Sequence, residues 1–212
     1  MNIAIIGTGN IGSGLALTLG KTSHGVVVAG QSLDDAKALA TKLSSENAVL
    51  VQAADVKTAV SSADVIILAV PYGAVASIAS AADFHGKVVI DVTNPLIEDF
   101  SGLTIGHETS AAEEIQKVLP GASVVKAFNT VFAQIYTEGL DFGDRKVPAF
   151  VASDSEEAKG IVTSIAETAG FDPVDAGGLK NARYIEPLGY LNIQFGYMLG
   201  QGTQIAPAWL SR

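Results

Sequence analysis

The feature that most constrains the fold of this chain is a glycine pattern at its start. Gly7-Thr8-Gly9-Asn10-Ile11-Gly12 follows the apolar run Ile3 to Ile6 and leads into a helix-like stretch that begins near Ile11. In that setting Gly7 allows a tight turn out of a strand, Gly9 lets backbone approach a pyrophosphate, and Gly12 lets the next helix pack on the sheet. The helix N-terminus adds free N–H donors and a partial positive charge. The chain has 22 glycines, so the spacing alone is a weak signal. Its place directly after a strand-length apolar run marks it as a dinucleotide-binding turn.

Runs rich in Val and Ile recur at residues 2–6, 26–30, 49–52, 65–70, 88–92, 123–127 and 148–152. Ala-rich segments with helical spacing lie between most of them, at 34–43, 74–82 and 113–119. Such alternation implies a parallel sheet with helical crossovers. A short strand at 172–175 precedes an apolar stretch, 182–199, that reads as a terminal helix. The expected fold class is therefore α/β, a doubly wound, mostly parallel sheet of Rossmann type with a C-terminal helical appendage. Residues 1–177 form its dinucleotide-binding part. Residues 178–212 form the appendage, expected to be a dimerisation element and a wall of the active site. Gly189, Gly196, Gly200 and Gly202 are unfavourable inside a helix, and close packing or cofactor approach would account for them.

Apolar residues make up 48 % of the chain and charged ones 17 %, ample for a buried parallel sheet. The net charge of −9 disfavours nucleic acid and anionic membrane surfaces as partners. With no cysteine, thiol chemistry and cysteine-ligated metal are excluded, so a nicotinamide, flavin or deazaflavin must carry any redox step. No metal site is expected. The first residues read as a core strand rather than a secretory signal, and the apolar stretch 65–82 is broken by Pro71 and Gly73. A cytoplasmic protein without a membrane segment is the expectation.

Ligands of doubly wound sheets bind beyond the carboxyl ends of the strands. The residues there are the glycine turn, then Ala69, Val70, Pro71 and Tyr72, then Thr93, Asn94 and Pro95, then Ala127, Phe128, Asn129 and Thr130. Phe128, Tyr72 and Tyr184 are aromatic candidates for the pocket, a buried core role being the alternative for Phe128. After the second strand, where NAD-binding turns place a carboxylate for the ribose, stand Gly30, Gln31 and Ser32. That favours NADP over NAD, with Gln31 and Ser32 as donors to a 2′-phosphate. Lys37 either adds charge there or is a solvated surface lysine. Asp34 or Asp35 serves the helix dipole.

Acid–base groups are scarce. His24 and His85 sit in turns at the far end of the sheet and read as surface residues, whereas His107 lies in a loop on the ligand side and is a catalytic candidate, the alternative being a plain loop histidine. Arg183 and Glu186, three apart on the terminal helix, are expected to pair with each other, the alternative being contact with an anionic second substrate. A pocket so poor in acid–base groups suits hydride transfer between two stacked cofactors.

Several stretches resemble the NADP oxidoreductase family of the F420-dependent NADP reductases, whose Rossmann domain is also found in the cytoplasmic part of the STEAP metalloreductases. They are Gly7 to Gly12, Ala69-Val70-Pro71-Tyr72, Asp91-Val92-Thr93-Asn94-Pro95, Lys126-Ala127-Phe128-Asn129-Thr130, and Asp175-Ala176-Gly177-Gly178-Leu179 followed by Asn181-Ala182-Arg183 and Glu186-Pro187-Leu188. The resemblance implies hydride transfer between NADP(H) and F420, a flavin or a related acceptor; the homodimer expectation comes instead from the glycine-rich, apolar terminal stretch. Asn129 is the second catalytic candidate; the F420 enzymes carry histidine there and the STEAP-like branch asparagine, so the acceptor is either F420 or another ring or metal centre. Two rivals stay open: a dehydrogenase of a small carbonyl substrate, and a non-catalytic NADP(H)-binding sensor.

Overall fold

Strands β1 (Asn2–Ile6), β2 (Gly25–Ala29), β3 (Val51–Ala53), β4 (Val65–Leu68), β5 (Val88–Asp91) and β6 (Ser123–Lys126) form one sheet, ordered β3-β2-β1-β4-β5-β6. All its pairings are parallel. This is a computed structural model, and it describes residues 1–209. Helices α1 (Asn10–Gly20), α2 (Leu33–Asn47), α3 (Val56–Ser62), α4 (Val75–Ala81), α5 (Ala111–Val118), α6 (Ala133–Glu138), α7 (Glu156–Ala169) and α8 (Ala182–Ile193) complete it.

Alternate side chains of a strand point to opposite faces, so a sheet covered on both sides needs apolar residues at every position. In β1, Ile3 and Ile5 join a core with Leu15 of α1, Leu39 of α2, Ile135 of α6 and Val162 of α7. Ala4 and Ile6 join a second core with Val60 of α3, Val75 of α4 and Ile115 of α5. Local chemistry sets the helix ends. Ser32 and Asp35 form a reciprocal capping box at α2, Ser110 caps α5, and Ser155 caps α7, which stops at Gly170 with φ of 97°.

Two expected elements differ. The strands at 148–152 and 172–175 form a separate two-stranded parallel sheet, β9 (Pro148–Val151) with β10 (Asp172–Asp175), after a small hairpin of β7 (Asp141–Phe142) and β8 (Arg145–Lys146). It meets the main sheet at β6, where Lys126 and Ala152 exchange backbone hydrogen bonds of 2.8 and 3.0 Å. The terminal helix is also shorter than its apolar pattern: α8 ends at Ile193 and residues Gln194–Met198 wind into a π turn. A Cβ at Gly196 would lie 2.6 Å from Phe132 Cζ, so this turn is pressed against the strand-end loop below it. The last three residues of the expected appendage, 210–212, lie outside the described residues.

Candidate functional site

The glycine turn has the geometry its sequence implies. Gly7 sits at φ +127°, and a Cβ there would come 2.1 Å from the Ala69 carbonyl oxygen. One at Gly12 would come 2.0 Å from the Gly7 oxygen, so helix and turn touch backbone to backbone. Gly9 differs: a Cβ would meet nothing within 4 Å. That open side is room for a ligand. Gly9 caps α1 with no side-chain hydrogen bond, and the first turn holds no acidic residue. Its N–H groups are thus left for an external anion.

Strand order reverses between β1 and β4, where doubly wound sheets bind ligands. A cavity of about 370 Å³ opens there. It gathers Gly9, Asn10 and Ile11 of the turn, Ala69, Val70 and Pro71 after β4, Thr93 and Asn94 after β5, and Phe128 and Asn129 after β6. None of its lining residues is Asp, Glu, Lys, Arg or His. Phe128 is fully buried at φ 63°, a left-handed conformation that costs a non-glycine residue about 1–3 kcal/mol, and its ring packs 5.2 Å from Phe171. Asn94 Nδ2 donates to the Asn129 carbonyl at 2.9 Å, and Asn129 Nδ2 donates to Asn94 Oδ1 at 2.9 Å and the Ile185 carbonyl at 3.1 Å. Two buried atoms of the lining stay without a partner among the described residues: Asn129 Oδ1 and Thr93 Oγ1.

Known proteins resemble this chain in sequence and in fold. Residues 2–95 match the family model "NADP oxidoreductase coenzyme F420-dependent". An F420-dependent NADP reductase of Methanothermobacter thermautotrophicus is 33 % identical over 201 residues, spanning 89 % of this chain and 86 % of its own. The chain belongs to this family of NADP oxidoreductases. Rat metalloreductase STEAP3 is also 33 % identical, over 88 % of this chain, which spans only 36 % of that longer protein. Among solved structures, a putative F420-dependent NADP reductase from Arthrobacter superposes with a TM-score of 0.79 at 26 % identity, covering 97 % of this chain and 99 % of that one. An Aspergillus terreus reductive aminase, 15 % identical with a TM-score of 0.67 over 94 % of this chain and 62 % of that one, shares the fold.

Other expected residues of this family member lie outside the cavity. Gly7, Thr8 and Gly12 build the turn beneath it, Ala127 is core, and Pro95 begins the following loop. Gln31, Ser32 and Lys37 stand beyond the end of β2, and the Ser32 hydroxyl donates to Asp35 Oδ2 at 2.8 Å. Tyr72 packs against the second core, its phenol pKa raised by burial and then by nearby carboxylates, Glu114 foremost. His107 is exposed and does not reach the cavity lining. Tyr184 lines a separate apolar groove with Phe150 and Trp209 rather than the cavity. His24 is no ordinary surface residue either. Both its ring nitrogens are buried and unpartnered among the described residues, and burial, with the N-terminal charge, lowers its pKa.

The expected Arg183–Glu186 pair does not form. Arg183 instead makes a two-pronged ion pair with Glu113 of α5, at 2.8 and 2.7 Å, and its guanidinium foremost holds that carboxyl below its ordinary pKa. Glu186 turns inward to Lys126 at 2.9 Å and accepts the Ala111 and Ala112 N–H groups at 2.9 and 3.1 Å. Lys126 also pairs with Asp91 at 2.8 Å. Burial alone would lower the Lys126 pKa, but the two carboxylates outweigh it and the net shift is upward. The far wall of the cavity is built by Gly189, Asn192, Ile193 and Tyr197, inside the segment expected to form a wall though Asn192 and Tyr197 were not singled out, and by Leu96, Phe100 and Phe132, which sequence reasoning missed. Gly189 was the available signal: a Cβ there would lie 2.9 Å from the Asn129 carbonyl oxygen.

Proposed function

We propose that this protein passes hydride between NADPH and a second ring cofactor, F420 or a flavin, stacked in the cavity at the β1–β4 switch point. What supports the reading most is the lining itself, which has no Asp, Glu, Lys, Arg or His side chain yet holds two buried, uncommitted polar atoms. An alcohol or carbonyl substrate needs a positioned proton donor or acceptor. A ring-to-ring hydride transfer needs facing surfaces and exclusion of water.

The chain's residues divide the work. Asn10, Ile11 and Gly12 offer α1 N–H groups to the pyrophosphate, and the open side of Gly9 lets it approach. Thr8, Gln31, Ser32 and Lys37 flank the adenosine ribose and its 2′-phosphate. Asn129 Oδ1 accepts from the nicotinamide carboxamide and Thr93 Oγ1 contacts the same group, which fixes the ring's rotation. Ala69, Val70, Pro71 and Phe128 form apolar walls, and Asn94 steadies Asn129. The bound nicotinamide supplies the hydride. Residues 178–212 act as site wall and as the twofold dimer contact.

The test is NADPH binding by calorimetry, followed by stopped-flow oxidation with F420, FMN and ferric chelate. Rapid turnover with F420 or FMN is expected. Binding without oxidation by any acceptor would leave a sensor instead.

A further inference from the structure

The most unusual charge arrangement in the molecule lies just behind the cavity. Lys126, Asp91 and Glu186 are 0 %, 0 % and 1 % exposed. The ammonium has three protons, and each is taken: by Asp91 Oδ2, Glu186 Oε1 and the Thr93 carbonyl. Asp91 Oδ1 accepts the Thr93 N–H at 2.8 Å, so Thr93 is gripped through both its backbone polar groups. Glu186 is itself held by two N–H groups at the start of α5. The residue before it, Ile185, accepts from Asn129 Nδ2, which leaves Asn129 Oδ1 uncommitted. One buried network thus reaches both uncommitted polar atoms of the cavity from behind.

Buried ion pairs rarely add stability over apolar packing, since desolvating the charges costs about as much as their attraction returns. A network retained at this place calls for another use. We propose that Glu186 is a positioning residue for the nicotinamide, setting Thr93 through Lys126 and Asp91, and Asn129 through the adjoining Ile185 carbonyl. Glu186 touches no ligand itself. The inference rests on the dinucleotide reading above, and it concerns only the nicotinamide end.

Its test compares two ligands, NADPH and adenosine 2′,5′-bisphosphate, which lacks the nicotinamide half. In Glu186→Gln, affinity for NADPH is expected to fall about tenfold, the equivalent of about 1.4 kcal/mol, with the bisphosphate unchanged within about twofold. Asp91→Asn removes the opposite carboxylate and serves equally if Glu186→Gln does not fold. Arg183→Ala loosens α8 on its outer side without touching the network, and both affinities should survive it. Equal losses for the two ligands, or a selective NADPH loss in Arg183→Ala as large as in Glu186→Gln, would overturn the proposal. Failure of the wild type to bind either ligand would instead sink the dinucleotide reading.

Discussion

A methyl group added at Gly9 and one added at Gly12 meet different surroundings. At Gly12 it strikes the Gly7 carbonyl at 2.0 Å, backbone that cannot swing aside, whereas at Gly9 it points into open space. Gly12→Ala should therefore destabilise the fold by roughly 1–3 kcal/mol in urea unfolding. Gly9→Ala should keep its unfolding midpoint and lose NADPH affinity, so denaturation and titration together separate the structural glycine from the ligand-facing one. His24 provides a second residue-scale prediction. Its folded pKa lies below the ordinary 6.5, so the unfolded chain binds the proton more readily. Its contribution to stability is complete above 6.5 and declines as pH falls from there to the depressed folded value. A plot of unfolding free energy against pH should slope in that window for the wild type and flatten for His24→Gln.

Between elements, α8 is held by two ion pairs of unequal weight. The Arg183–Glu113 pair has side chains 22 % and 18 % exposed, and Arg183→Ala should cost about 1 kcal/mol. Lys126→Met leaves Asp91 and Glu186 facing one another without a cation in the interior. A loss of about 3–5 kcal/mol is expected by urea unfolding, and parity of the two variants would contradict the burial argument. The local i,i+3 rule pointed Arg183 at Glu186, but α8 presents them to different neighbours, one to the flank of α5 and one to its N-terminus. Competing partners 70 and 75 residues away in sequence outbid the near one, and no local pattern encodes that choice.

At the scale of the whole molecule, the C-terminal segment leaves an apolar face uncovered. Tyr184, Leu191, Tyr197, Met198 and Leu199 are all exposed, as is Trp209 against Phe150. Exposed apolar side chains in this number, on a protein with so few charges, are what the proposed twofold contact would cover. Sedimentation velocity at micromolar concentration should give a dimer for the wild type and a monomer for Leu191→Asp. A wild-type monomer would rule out the twofold contact. Among the described residues no helix is long and apolar enough to cross a membrane.

The sequence by itself determined the doubly wound parallel sheet, the glycine turn and which residues stand at the strand ends. Apolar runs buried on both faces, and glycines that must touch backbone, are local requirements written at fixed spacings. Tertiary structure decided the rest: the far wall with Asn192 and Tyr197, the removal of His107 and Tyr184 from the site, and the inward turn of Glu186. Those depend on how α8 docks across the strand ends, a long-range fit of charge and shape that periodicity along the chain does not record.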